Sequence, residues 1–323
     1  MPSQIEPRAQ QVHVLVLPHV HAMDLSGPVQ VLYEANGFGA RYELGFVGGE
    51  EKVRSAQGFW ISDLEALPEV AAEDWVLVPG IESATLGELD HVPGGWLRQA
   101  RDVGARLCSI CSGAWILAHA GVLNHRRCTT HWQIVDRLEA AFPAVEVRRD
   151  RLFVRDGRLW TSAGEASGID MALAMVEEDH GPLTVANVAR EMVVYHRRNG
   201  RSSQASIYVQ YRTHLHPGVH RVQDWLVAHP ESRPALEQLA GIACMSPRNL
   251  TRVFRQSTGV SLKEFTTRLK LEVAGNLLRN PAETVEGVAS RCGFADSRQL
   301  RRLWRRTFGL SPSRWRAEQL AEG

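Results

Sequence analysis

The sequence predicts an α/β parallel sheet sandwiched by helices, flavodoxin-like, followed by an all-α domain built from two helix-turn-helix units. Three observations predict it. The first half alternates short apolar runs with helical stretches, the pattern of a parallel sheet covered on both faces. The charge is unevenly divided: residues 1–213 hold 20 Lys/Arg against 26 Asp/Glu, and residues 214–323 hold 17 against 10. An internal repeat of about 50 residues runs through the last third.

In the first half, residues 12–18 (VHVLVLP), 75–79 (WVLVP) and 105–110 (ARLCSI) are continuous apolar runs of strand length, as buried parallel strands require. Helical segments are expected over 28–35, 95–103 and 112–120. Two strand-like runs within 151–162 flank Asp156-Gly157, a hairpin signal, and a helix is expected over about 165–178. The expected boundaries are 10–182 for the α/β domain and 183–218 for a helical segment and linker, with the exposed stretch HRRNGRSSQ inside it. The second domain is expected over 219–319, where helical periodicity is punctuated by Pro and Gly.

A chain of 323 residues accommodates two cores. Its 44% hydrophobic and 23% charged composition is that of an ordinary globular protein, and no apolar run nears the roughly 18 residues of a membrane span. The opening MPSQIEPRAQQ lacks a basic-then-apolar leader, and five cysteines are too few and irregular for a disulfide framework. A cytoplasmic location is expected, with no membrane partner. No cofactor and no metal site are expected, since no second CxxC completes a zinc set with Cys108-x-x-Cys111.

The repeat aligns Arg248/Arg298, Leu250/Leu300, Arg252/Arg302, Phe254/Trp304, Arg255/Arg305, Gly259/Gly309 and Ser261/Ser311 at an offset of 50. One helix earlier the offset is 49 (Ala240/Ala289), so the second copy carries one extra residue in its turn. Leu250, Val253 and Phe254, and likewise Leu300, Leu303 and Trp304, fall at i, i+3 and i+4 on one core-facing stripe. The opposite face presents Arg248, Asn249, Thr251, Arg252 and Arg255 in the first copy. In the second it presents Ser297, Arg298, Gln299, Arg301, Arg302 and Arg305. Arg pairs bidentately with guanine, Asn and Gln with adenine, and the other cations neutralise phosphates. A lone basic helix is often just a solvated face; duplication of a short helix, a turn and a basic helix argues for paired recognition helices on double-stranded promoter DNA.

The segment GFADSRQLRRLWRRTFGLSPSRWR resembles the signature of AraC/XylS-type regulators. The resemblance covers about 220–318 and implies seven helices, with 235–243 and 285–291 preceding the recognition helices and 262–278 as a rigid spacer between them. Pro247 opens the first recognition helix, where proline is tolerated.

In the first domain, Ser109-Ile-Cys111-Ser-Gly113 follows a buried strand and opens a helix, the small-x-nucleophile-x-Gly pattern of a nucleophile elbow. A thiol at a helix N-terminus is expected to have its thiolate favoured and its pKa lowered. Cys108 is expected to point into the core, and Cys128, Cys244 and Cys292 to be small core residues. The stretches LPHVHAMDLSGP, CSICSGAWILAHAGVLNHRRCTTHW and TSAGEASGIDMALAMV resemble the PfpI-like, class I glutamine amidotransferase-like superfamily over about 12–180. Fused to an AraC-type module, this order resembles the GlxA family of transcriptional regulators.

That resemblance implies that Asp24, from the first βα turn, stands beside the thiol with His131 nearby, and that the α/β domain forms a homodimer. Ser112 replaces the histidine that follows the cysteine in hydrolytic relatives, against a Cys-His protease mechanism. Three readings remain open. The first is a sensor pocket in which Asp24, Gly27, Cys111, Ser112, His131 and Trp132 hold a small-molecule effector. The second is catalysis by Cys111 activated by Asp24 or His131, such as hydration of a small amide or isonitrile, with a DNA-binding tail. The third is a folding scaffold or a redox switch. RNA polymerase is a further expected partner of a promoter-bound regulator.

Overall fold

Strands buried on both faces organise the first unit of the chain. The computed structural model describes residues 9–89, 92–194, 198, 200, 204, 207–278 and 280–321. Two compact units divide between Gln204 and Ala205.

The first unit runs β1 (Gln10–Leu15), α1 (Ala22–Asn36), β2 (Tyr42–Val47), β3 (Val53–Arg54), β4 (Trp60–Ile61), β5 (Trp75–Val78), α2 (Gly94–Asp102), β6 (Arg106–Ile110) and α3 (Gly113–His119). It continues through β7 (Arg127–Cys128), α4 (Val135–Ala141), β8 (Glu146–Val147), β9 (Phe153–Asp156), β10 (Leu159–Ser162) and α5 (Ala166–Glu191). The main sheet has the order β2-β1-β5-β6-β10-β9, parallel except for the β9 edge, which pairs antiparallel with β10 across the Gly157 turn. The five parallel strands thus follow the flavodoxin-like 2-1-3-4-5 order.

Alternate strand residues enter two separate cores. Val12, Val14, Trp75, Leu77, Cys108 and Ile110 face one core with Val31 and Leu32 of α1 and Met171 and Val176 of α5. Leu15, Val76, Val78 and Leu107 face the other with Leu97 of α2 and Ile116 and Leu117 of α3. Both faces of the sheet are therefore covered, and the apolar runs at β1, β5 and β6 follow from burial on both sides.

Three features bear on the expectations. Helix α1 starts at Ala22 and carries Pro28 in its interior, because Asp24, Gly27, Pro28, Val31, Leu32 and Ala35 form one continuous buried face. Helix α5 bends at Gly181 (φ 81°) before Pro182 and continues to Glu191, so the helix expected over about 165–178 runs on into the helical segment expected from 183. Val185, Val188 and Ala189 are buried in the first core, so packing holds that stretch in the first unit. Finally, Cys244 is exposed as the left-handed C-cap of a helix, not a core residue; Cys108, Cys128 and Cys292 are buried.

The second unit contains α6 (Ile207–Gln210), α7 (Pro217–Ala228), α8 (Leu236–Ala243), α9 (Pro247–Thr258), α10 (Leu262–Leu278), α11 (Val285–Arg291), α12 (Ser297–Phe308) and α13 (Pro312–Ala321). It has two cores. Leu250 and Phe254 of α9 join Leu239, Phe265 and Leu269 in the first; Leu300 and Trp304 of α12 join Leu271, Val288 and Phe294 in the second. Among the described residues, no helix is long and apolar enough to cross a membrane.

Candidate functional site

The carboxyl ends of β1, β5, β6 and β10 converge on Cys111. The turn after β6 holds Cys111 in the left-handed region (φ 55°), strained for a residue with a Cβ. Its N–H donates to the Ser162 carbonyl at 3.0 Å and its carbonyl accepts from the Thr130 hydroxyl at 2.8 Å. Glycines make room for it. A Cβ on Gly164 would stand 2.5 Å from the Cys111 Cβ and 2.8 Å from Sγ, and one on Gly80 would stand 2.9 Å from that Cβ.

Asp24 lies in the first turn of α1 and is fully buried. Oδ1 accepts from the Glu165 N–H at 2.6 Å, while Oδ2 has no hydrogen-bond partner of ordinary geometry and borders the same space beside Gly80 as Cys111. Glu165 donates from a left-handed backbone (φ 50°), so the turn before α5 is itself shaped around this carboxylate. Burial raises the Asp24 pKa to about 6, partly offset by the Glu165 N–H bond.

The electrostatics correct one expectation. The Cys111 thiol is pushed well above its ordinary range, first by burial and then by the Asp24 charge; the Ser112 N–H at the start of α3 opposes this but does not overcome it. Cys111 is therefore a neutral thiol, and the Asp24 carboxylate beside it disfavours its thiolate further. Burial also lowers His131, which favours the neutral imidazole.

The other expected pocket residues are engaged in different ways. Ser112 is buried and its hydroxyl is used by Ile81, accepting from the N–H at 2.8 Å and donating to the carbonyl at 2.7 Å, which ties the β5 loop to the elbow. Gly27 packs toward α5, where a Cβ would meet Ile169 at 3.0 Å. Ser112 Oγ borders the space beside Gly80, where a Cβ would stand 2.9 Å from it, while Gly27 backs the site from the α5 side. Trp132 is 65% exposed, with its ring 5.6 Å from that of His131. Gly80, Thr130, Gly164 and Glu165 are additional residues of the site. TSAG could have pointed to Gly164 and Glu165, but nothing in the sequence marks Gly80 or Thr130.

The loop carrying Thr130 also meets the end of the first unit. Gln204 donates its side-chain amide to the Thr130 carbonyl at 2.9 Å and to the Arg151 carbonyl at 3.1 Å, and its N–H donates to Asp150 Oδ1 at 3.0 Å.

In the second unit, the two basic helices are built alike. The Ser246 hydroxyl caps α9 by accepting from Asn249 N–H, and Asp296 caps α12 by accepting from Gln299 N–H. Gly259 and Gly309 end them with φ of 76° and 75°. On α9, Arg248, Thr251, Arg252 and Arg255 are exposed and line a groove with Gln256, which the sequence reading missed because it stopped one residue short; Asn249 is half-buried beside it. Arg252 is held in place by Asn249 Oδ1 at 2.8 Å and Gln256 Oε1 at 2.9 Å. The Thr251 hydroxyl donates to the Pro247 carbonyl.

On α12, Arg298, Arg301, Arg302 and Arg305 are exposed and Ser297 and Gln299 half-buried. Arg301 pairs with Glu286 of α11 at 2.9 Å, and the Gln299 Oε1 accepts from the Ala295 N–H. Exposed guanidiniums on a capped, rigidly seated helix can neutralise phosphates and read base edges.

Comparison with known proteins gives both halves a context. A DJ-1/PfpI family model matches residues 10–178 and a helix-turn-helix domain model matches 239–318. The chain is 28% identical over 312 residues to the HTH-type transcriptional regulator GbdR of Pseudomonas aeruginosa, covering 94% of this chain and 83% of that one. It is 30% identical over 224 residues to the HTH-type transcriptional regulator GlxA of Rhizobium meliloti, covering 67% and 66%. To the isonitrile hydratase of Pseudomonas putida it is 32% identical over 173 residues, covering 53% and 72%.

Proposed function

This chain belongs to the DJ-1/PfpI family, in its GlxA-like combination with an AraC-type helix-turn-helix domain, and from that premise we propose that it is a sequence-specific DNA-binding transcriptional regulator. A small molecule bound beside Cys111 controls it. The observation that carries the reading is the pair of basic helices of equal length, α9 and α12, with matching caps and with Leu250/Phe254 and Leu300/Trp304 fully buried beneath them. The names of the full-length relatives support the same role. The protein acts in the cytoplasm on promoter DNA, as a homodimer through the α/β domain, with RNA polymerase as its downstream partner.

Asp24, Cys111, His131 and Trp132 supply the effector site, an enclosed carboxylate and thiol with an aromatic edge open to solvent. Binding there changes DNA occupancy only if the effector favours one state of the chain over another.

Footprinting on sites selected from random duplexes tests the DNA reading. Arg252→Ala and Arg302→Ala should each weaken specific binding by about 1–3 kcal/mol. Parent-like footprints for both variants would overturn it. Cys111→Ala should leave DNA binding intact while altering the effector response.

A second reading is favoured by the neutral thiol lying beside the Asp24 carboxylate and by the isonitrile hydratase relative. In it Cys111 catalyses hydration of a small substrate, with Asp24 accepting the thiol proton. Measurable isonitrile or amide turnover, lost in Cys111→Ala, would establish that reading in place of the sensor.

A further inference from the structure

Helix α10 passes between the two helix-turn-helix units, and its residues divide between their cores. Phe265 and Leu269 belong to the first core, Leu271 and Ala274 to the second. Lys270 stands at the seam, 8% exposed. Burial and the nearby Arg233 charge disfavour its protonated form, so a lysine here is costly and an apolar side chain of similar length would suit the packing.

Its ammonium joins the two halves. Nζ donates to the Ser232 carbonyl at 2.8 Å, in the loop that leads into α8, and to the Gly293 carbonyl at 2.9 Å, in the turn that leads to α12. Arg233 closes the bracket from the same loop, donating Nε to the Gly293 carbonyl at 3.0 Å and Nη2 to the Phe294 carbonyl. Gly293 is left-handed (φ 65°), and a Cβ there would overlap the Glu231 carbonyl and stand 2.6 Å from Lys270 Nζ. The two loops touch backbone to backbone across the lysine. The Gly293 and Phe294 carbonyls follow the C-terminus of α11, where the carbonyl end of a helix favours cations.

Apolar contacts at such a seam are non-directional and tolerate sliding or rotation. Directed bonds from one ammonium to two carbonyls do not. We propose that Lys270 is a positioning residue that sets the separation and angle of α9 and α12, and thereby the spacing between the two DNA half-sites that this chain accepts. The proposal rests on the DNA-binding reading above. A helix displaced along the duplex axis leaves the groove position its partner requires, since successive major-groove faces recur only once per helical turn, roughly 34 Å.

The test uses the full chain. Sites are selected from random duplexes, and the selected bipartite site is then lengthened or shortened by one base pair between its halves. The parent should lose about tenfold or more in affinity for either change, the cost of about one mismatched base pair. Lys270→Met, which keeps the aliphatic stem, should bind each half-site with parent-like contacts yet show a spacing penalty of only about threefold. Gly293→Ala should relax spacing in the same direction. Arg233→Met, at an exposed position that leaves the core intact, should give an intermediate penalty and decides the matter if Lys270→Met does not fold. Parent-like spacing penalties in folded Lys270→Met and in Arg233→Met would overturn the clamp while leaving DNA binding intact. If the parent selects no bipartite site, the DNA-binding reading and the clamp fall together.

Discussion

The side-chain amide of Gln204 donates to the main-chain carbonyl of Thr130 at 2.9 Å, and the Thr130 hydroxyl donates to the Cys111 carbonyl at 2.8 Å. The residue that closes the first unit is thus two hydrogen bonds from the elbow cysteine. Gln204→Ala should speed amide exchange in the Thr129–His131 loop by roughly five- to thirtyfold, for one or two lost bonds worth about 1 kcal/mol each. Unchanged exchange would mean that Gln204 does not anchor this loop.

Asp24 should make stability depend on pH in an unusual direction. Burial raises its folded-state pKa to about 6 from 3.8, so the folded chain binds this proton more readily than the unfolded chain. Its destabilising effect is absent in acid, grows as pH rises from about 4 through 6, and is complete above that. Asp24→Asn keeps an oxygen for the Glu165 N–H and removes the buried charge. Its melting temperature should exceed the parent's at about pH 8, by at most roughly 3 kcal/mol of stability, with the difference vanishing toward pH 4. A thermal shift series across that range checks the sign.

Alkylation should follow environment, not elbow geometry. Cys244 is exposed, whereas Cys111 is half-buried with its thiolate disfavoured by burial and by Asp24. Iodoacetamide at neutral pH should modify Cys244 first, and Asp24→Asn should accelerate Cys111. Peptide mass mapping over time reads both rates; Cys111 reacting first in the parent would contradict the assignment.

Gly164→Ala should be severe. The position combines φ of +111° with a Cβ that would lie 2.5 Å from the Cys111 Cβ, so backbone strain and overlap act together. A loss of several kcal/mol, on the order of overpacking plus a left-handed penalty, is expected in chemical denaturation. Gly157→Ala, where a Cβ meets nothing within 4 Å, should cost only the turn strain, about 1 kcal/mol.

Much of the first unit was legible because its parallel strands are buried on both faces. Val12–Leu17, Trp75–Val78 and Leu107–Ile110 read as continuous apolar runs for that reason. Strand β2 was missed, since its GFV end is apolar but its Glu43 and Gly45 break the run. A helical segment from 183 was expected, but its membership of the first unit was not legible, because local rules break the helix at Gly181-Pro182 and only the burial of Val185 and Val188 ties it to that core. Around Cys111, the elbow and Asp24 were marked by motif, while Gly80 and Thr130 reach the site through long-range contacts that no spacing encodes.

By itself the sequence determined the local and periodic features. These are the alternation of strands and helices, the 50-residue duplication with its Gly259/Gly309 pair, and the apolar stripe ending in Phe254 or Trp304. Each depends on residues a few positions apart, within one turn of helix or one strand. Tertiary structure decided the environment of single groups. The elbow motif promised an activated thiolate, but enclosure beside Asp24 keeps Cys111 neutral, because desolvation and a like charge outweigh one helix N-terminus. The role of Lys270 was likewise invisible in the α10 pattern, since its partners Ser232 and Gly293 lie 38 and 23 residues away.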